Sequence, residues 1–366
     1  MQRKTLRELG LRVGVLDTGP MNAITDVAGV RVGHISVRED APRTVRSGVT
    51  AVLPLATSYL EHSVFAGFHS YNGFGEVTGS HWINETGLLT SPICLSSAFS
   101  VGALRDAILA HPFNNNIEER WHQPVAGETF DGVLNDGVHG AISATHVEQA
   151  IAVASGGALD QGNVGGGSGM MSFEFKSGIG TSSRRVHCPS GQFTVGVMVQ
   201  SNFGNRSQFT VDGVPVGRHI GYDQVDSPQR RDAEVGGEGG SIVIVVATDA
   251  PLLPPQCARL ARRAGIGLGR VGGFGNNRSG DFIVAFSTAN RIPFCQDHIA
   301  NGIRMLPNEH MNPLFQAAAE ATEEAIVNSM TMAETMVGRG GVTVHALPLD
   351  TLVEIMTLYG RGAIGP

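Results

Sequence analysis

Glu234-Val235-Gly236-Gly237-Glu238-Gly239-Gly240 runs without a break into Ser241-Ile242-Val243-Ile244-Val245-Val246-Ala247-Thr248-Asp249. Glycine has no Cβ and reaches positive φ freely, so the first part reads as a loop. The second part is apolar, β-branched and closed by turn residues, the pattern of a strand buried on both faces. Ser241 therefore stands where a loop meets the first residue of a core strand. Two readings follow. In one, the Ser241 hydroxyl attacks the unhindered Gly240 carbonyl, and hydrolysis of the resulting ester frees Ser241 as a new N-terminus. Its α-amine, with an ordinary pKa of about 7.7–8.0, then serves as general base near neutral pH. In the other, the glycines are a linker and the strand happens to begin with serine.

A chain of 366 residues allows one large domain or two ordinary ones. Its 49 glycines are scattered through apolar segments without a period, which fits neither a collagen-like nor a disordered chain. With a net charge of −7 and no basic stripe, nucleic acid is not an expected partner. Cys94, Cys188, Cys257 and Cys295 form no CxxC pair and no zinc spacing, and read as free thiols. The first residues carry basic charge but no apolar signal region, and no apolar run approaches 18 residues. The expectation is a soluble cytoplasmic protein without a membrane span, metal or cofactor.

Along the chain, residues 1–20 read as a polar lead-in. Strands are expected at 48–54, 88–95 (interrupted by Pro92), 193–200, 242–246, 281–288 and 342–347, and helices at 100–110, 145–154, 255–264 and 312–336. They do not alternate as a βαβ series does, which favours a layered α+β architecture with helices outside sheets.

Gly267-Leu268-Gly269-Arg270-Val271-Gly272 spells GxGxxG but follows a helix instead of a strand, so it reads as a turn. Gly165-Gly166-Gly167-Ser168-Gly169 lacks the lysine of a P-loop and also reads as a turn. The 13 histidines give no HExxH and no pair at i, i+4 on one helix. Ser279 and Asp281 lie two apart at a strand mouth, where an extended chain puts them on one face. Asp281 could then orient Ser279, and Ser279 could polarise another hydroxyl or amine; taken alone, an ordinary polar turn is the simpler explanation of the pair. Asn202, at a strand end, could donate an N–H to an oxyanion or be a plain turn residue. Glu128, Asp131 and Asp136 fall within one loop of turn formers.

Taken together and in order, these stretches resemble something. Asn22-Ala23-Ile24-Thr25-Asp26-Val27 through Gly33-His34, Asn72-Gly73-Phe74-Gly75-Glu76 with Thr78-Gly79, Val164-Gly165-Gly166-Gly167-Ser168-Gly169-Met170, Val199-Gln200-Ser201-Asn202-Phe203-Gly204, Gly239-Gly240-Ser241 and Ser279-Gly280-Asp281 resemble motifs of the self-processing serine aminopeptidases. These are the L-aminopeptidase/D-amidase-esterases and β-peptidyl aminopeptidases, and the likeness spans nearly the whole chain. It implies a four-layer αββα sandwich like that of the N-terminal-nucleophile hydrolases, with different strand connectivity. It implies one domain, 1–366, cut at Gly240–Ser241 into an α chain 1–240 and a β chain 241–366 that stay together, and assembly of such units into a homotetramer. The substrates would be short peptides, amides or esters with a free amine, in some members β-peptides.

Carried over residue by residue, Ser241 is the nucleophile, Ser279 and Asp281 its polar partners, and Asn202 the oxyanion donor. Glu128 is the candidate for the substrate ammonium, with Asn135 of the same loop as a second substrate-binding residue. Some relatives have Glu where Asp281 stands, one methylene longer. Some have Tyr after Asp-Gly where this chain has Val133, which implies a more apolar pocket. Two other readings remain. One is an acyltransferase of the related ornithine acetyltransferase fold, whose usual threonine nucleophile Ser241 does not match. The other is an uncut ligand-binding scaffold without catalysis.

Overall fold

The structure is a computed structural model that describes residues 2–56, 58–115, 122–138, 140–230, 240–294 and 302–362. The loop part of the glycine run, 234–239, and Cys295 therefore lie outside the described residues. The strands, in chain order, are β1 (Arg31–Glu39), β2 (Val45–Leu53), β3 (His62–Gly73), β4 (Leu88–Leu89), β5 (Ile93–Ser97), β6 (Val125–Thr129), β7 (Met171–Ser172), β8 (Phe175–Lys176), β9 (Ile179–Cys188), β10 (Gly191–Asn202), β11 (Gly240–Thr248), β12 (Ser279–Pro293), β13 (Met336–Val337) and β14 (Thr343–Val344). The α-helices are α1 (Ser80–Thr86), α2 (Val101–Asn114), α3 (Ala144–Ala152), α4 (Pro254–Arg270), α5 (Asn312–Thr331) and α6 (Leu349–Leu358).

Two sheets face each other. One has the order β1-β2-β5-β6, the other β4-β3-β12-β11-β10-β9. β11 lies at the centre of the second, antiparallel to β10 and parallel to β12. Its side chains divide cleanly by the two-residue period of a strand. Val243, Val245 and Ala247 join the core between the sheets, where Leu95 and Val243 both face Gly127. Ile242, Ile244 and Val246 join the core under α4 and α5. A strand with an apolar layer on each face must be apolar throughout, which is what the sequence of β11 reads. α3 packs on the outer face of the four-stranded sheet, where a Cβ on Gly33 would stand 2.0 Å from the Ala150 carbonyl. With α2 beside it, the layers run helix, sheet, sheet, helix.

Several expectations are corrected. The stretch 88–95 is not one interrupted strand: β4 pairs with β3 and β5 with β2, so Ser91-Pro92 carries the chain from one sheet to the other. GxGxxG is not simply a turn, because α4 continues through Gly267 and Gly269 to Arg270. A Cβ at Gly267 would stand 2.4 Å from the Ala319 carbonyl, so this glycine lets α4 close on α5. The long helix ends at Thr331 instead of 336, the last strand is only Thr343–Val344, and α6 follows it. The lead-in is less polar than it reads, since Leu6, Leu11 and Val13 belong to the outer core. β9 had no sequence signal, because its buried residues include Ser182, Ser183 and Arg184. Arg184 donates to Glu324 Oε2 at 2.7 Å and to Glu320 Oε2 at 3.3 Å, and Arg7 donates to Glu324 Oε1 at 3.0 Å. The buried charges of α5 are thus paired, as burial requires. Cys94, Cys188 and Cys257 are free thiols, and no described helix is long and apolar enough to cross a membrane.

The close approach of α4 and α5 can be tested directly. Gly267→Ala should destabilise the fold by about 1–3 kcal/mol, the usual cost of forcing an extra methyl into a packed interface. Thermal denaturation would show it as a lowered midpoint, and an unchanged midpoint would remove the contact from the account.

Candidate active site

Three separated segments meet at the start of β11. In the strand register Ser241 lies opposite Asn202 on β10 and beside Gly280 on β12, while Gly240 lies beside Ser279. Strand alternation turns the Ser241 side chain toward the space between the sheets, on the side of Val243. There the N–H of Phe130, just beyond the end of β6, donates to Ser241 Oγ at 3.1 Å. Asn202 reaches the same point: its Nδ2 donates to the Phe130 carbonyl at 2.8 Å, and its Oδ1 accepts from the Met171 N–H at 3.0 Å. A side-chain amide has two N–H groups. Among the described residues the second one on Asn202 has no partner, so it is available to an oxyanion.

Gly240 faces the other way. A Cβ there would stand 2.9 Å from both Cα and Cβ of Phe203, so the backbone passes β10 at a distance only glycine permits. Ser279 and Asp281 are on this outer face, beside Phe203 and Leu268. The expected pairing between them is present: Ser279 Oγ donates to Asp281 Oδ1 at 2.5 Å. The shorter aspartate therefore reaches its serine without difficulty. Burial pushes the Asp281 carboxyl up to about 6, with the Ser279 hydrogen bond working against the rise. Among the described residues no hydrogen bond joins Ser279 to Ser241. The pair flanks the Gly240–Ser241 peptide, where an α-amine released at Ser241 would appear.

Glu128, next to last in β6, is 7 % exposed. Its Oε1 accepts from the Glu76 N–H at 3.0 Å, and a Cβ on Gly75 would stand 2.7 Å from that oxygen. The glycine of Asn72-Gly73-Phe74-Gly75-Glu76 thus opens space for the carboxylate. Burial pushes Glu128 up to about 7, with the neighbouring Glu76 and Asp131 charges adding to it and the hydrogen bond opposing it. Asn135 is placed differently from Glu128. Its Nδ2 donates to Asp131 Oδ2 at 2.9 Å and its Oδ1 accepts from the Arg46 N–H at 3.0 Å, so its amide braces the loop. Val133 packs against a small cluster of Leu134, Met171, Met336 and Val344. Phe130, whose N–H reaches Ser241, carries a ring paired with that of Phe99, with centroids 5.8 Å apart and the residues 50 % and 42 % exposed.

Two further contributors were not singled out from the sequence. The N–H of Phe130 is a main-chain group, which residue identity cannot announce. Asn72, legible as part of a turn motif, donates through Nδ2 to the Ser279 carbonyl and, at 2.9 Å, to the Asn276 carbonyl, fixing the mouth of β12.

Residues 22–344 match the model of peptidase family S58. The chain belongs to peptidase family S58. A β-peptidyl aminopeptidase BapA of Sphingosinicella microcystinivorans is 42 % identical over 359 residues, covering 94 % of this chain and 89 % of that protein. The structure of a Burkholderia sp. β-aminopeptidase superposes with a TM-score of 0.91 at 43 % identity, covering 98 % and 99 % of the two chains. That of the L-aminopeptidase D-Ala-esterase/amidase from Ochrobactrum anthropi, described as a prototype for the serine aminopeptidases and a variant of the Ntn-hydrolase fold, gives 0.90 at 39 % identity, covering 99 % of each. The S58 chain therefore has the Ntn-type layered fold that its motifs implied.

Gly240→Val should slow any cleavage at the Gly240–Ser241 bond about 10- to 100-fold, because displacing reacting atoms by ~1 Å can cost that much. The fraction of cut chain over time, read by denaturing mass spectrometry, would show it. Cleavage at the native rate would mean that the close approach to Phe203 is not needed.

Proposed function

We propose that this S58 chain is a self-processing serine aminopeptidase in which Ser241 acts twice. First its Oγ attacks the Gly240 carbonyl, giving an ester that water opens into an α chain 1–240 and a β chain 241–366. Then the freed N-terminal Ser241 attacks the first carbonyl of a short peptide, amide or ester. Its own α-amine takes the hydroxyl proton and returns it to the leaving amine, and water releases the acyl group from Oγ. The strand register supports this reading above all. It sets Ser241 opposite Asn202 and places the Ser279–Asp281 pair beside the bond to be cut.

The groups then have separate roles. Asn202 donates its second N–H to the oxyanion of each tetrahedral intermediate. Ser279, held by Asp281, hydrogen-bonds the α-amine and keeps its lone pair aimed at Oγ. Glu128 receives the substrate ammonium, and Phe130 with Phe99 offers an apolar wall to the substrate side chain. The relatives named for β-peptidyl substrates support a site that accepts β- as well as α-amino acids. Family resemblance also supports a homotetramer of two-chain units.

Ser241→Ala should leave a single uncut chain of 38.5 kDa without hydrolytic activity toward aminoacyl p-nitroanilides. A cut chain in that variant would remove Ser241 as the processing nucleophile. Asn202→Ala should lower kcat by about 10²–10³, the usual loss for one oxyanion donor.

Glu128 must be ionised to hold a cation, so binding should weaken as pH falls through about 7. Glu128→Gln should abolish that limb of the kcat/KM profile and raise KM about 100-fold, as when a buried charge loses its partner. An unchanged KM would assign the ammonium elsewhere.

A further inference from the structure

Lys176 is fully buried, yet among the described residues no carboxylate lies within ion-pairing distance of it. Its Nζ donates instead to two main-chain carbonyls, Met170 O and Ser177 O, each at 2.6 Å. Burial lowers this amine well below the ordinary lysine range. Among the described residues these two carbonyls are the hydrogen-bond partners of the amine. A lysine buried in this way is costly unless something is gained by it.

What it holds is one particular peptide unit. The carbonyl of Met170 and the N–H of Met171 belong to the same planar group. Lys176 pulls on its oxygen, and its N–H donates to Asn202 Oδ1 at 3.0 Å. Drawing electron density toward the oxygen makes that N–H a better donor, since linked hydrogen bonds polarise one another. The Met171 N–H in turn decides which way round the Asn202 amide lies, with oxygen toward Met171 and Nδ2 toward the Phe130 carbonyl.

The hairpin carrying these groups is itself fixed. Its turn residues Phe173 and Glu174 have φ of 50° and 67°, the left-handed region that ordinary side chains avoid. Phe173 is locked there by its N–H to the Phe203 carbonyl at 2.7 Å and by ring contacts with Phe203 and Phe209. Phe203 is the residue after Asn202, so the hairpin is anchored at the strand end it must serve.

We propose that Lys176 is a positioning residue for the oxyanion site, acting through the Met170–Met171 peptide to orient the Asn202 amide. It touches neither substrate nor Ser241. This rests on the oxyanion role given to Asn202.

The test is a double-mutant cycle on the full-length protein with an aminoacyl p-nitroanilide, kcat being referred to the two-chain form. Lys176→Met should lower kcat about 10- to 100-fold, the scale of a misplaced catalytic group, with KM changed less than about threefold. In the Asn202→Ala background the same change should have almost no further effect on kcat, because there is no amide left to orient. Lys176→Gln, which keeps two N–H donors on a chain one atom shorter, should give an intermediate loss that also vanishes in that background. It serves as the cycle partner if Lys176→Met does not fold, as judged by circular dichroism. Where a variant stalls uncut, the rate of chain cleavage replaces kcat. Losses that multiply in the double variant, or a Lys176 loss in KM instead of kcat, would overturn the proposal. If Asn202→Ala alone left kcat unchanged, the oxyanion reading itself would fail, and the two failures are thereby distinct.

Discussion

Everything at the site depends on β11 being held from both faces at once. The inner core takes Val243, Val245 and Ala247, and the outer core takes Ile242, Ile244 and Val246. A one-residue slip would exchange the two sets and carry Ser241 to the outer face with them. The two cores therefore fix the register of the strand against β10 and β12, and the register alone brings Ser241 to Asn202 and Gly240 to Ser279. Burying Val, Ile or Leu side chains stabilises by roughly 1.5–3 kcal/mol each, so a slip that misplaced several would be strongly opposed. Precision at the nucleophile is a by-product of an apolar strand with no free face.

Much of this was legible in the residues. Ser241 could be singled out because a glycine run and a β-branched run change over at one position. Two-residue alternation at a strand mouth allowed the Ser279–Asp281 pair, but an ordinary polar turn was the simpler reading until the family likeness was added; the hydrogen bond between them is present. Asn202 and Glu128 needed the family likeness, since a lone asparagine at a strand end and a glutamate among turn formers have ordinary uses. What was not legible depended on partners far away in the chain. β9 hid because Arg184 breaks its apolar pattern, and only the distant Glu320 and Glu324 make that arginine acceptable inside. The extent of α4 was missed because Gly267 looks like a helix breaker until α5 is laid against it. The Phe130 N–H is a main-chain donor that residue identity does not announce, and the Lys176 amine acts on main-chain carbonyls that the sequence does not place beside it.

The site divides its work between two faces of one strand. Ser241 Oγ and Asn202 lie toward the space between the sheets, where both meet the Phe130 main chain. Gly240, Ser279 and Asp281 lie on the side of the outer core. In the proposed chemistry this arrangement separates acyl transfer from proton handling, with the Ser241 main chain as the link. It also explains why glycine suits the position before the nucleophile: the outer face there is closed by Phe203.

The strand order of the six-stranded sheet has a consequence for the fate of the two products. β11 and β12 come after the proposed cut, yet they lie between β3 and β10, which come before it. Each product alone would be a sheet with its middle missing or a middle without its sheet. Before the cut, refolding is a property of one molecule; afterwards it becomes a meeting of two, governed by their concentration. A cut enzyme that unfolds would have lost the covalent tether that first brought its halves into register. Its durability would then rest on how slowly the sheet opens and not on how readily it re-forms.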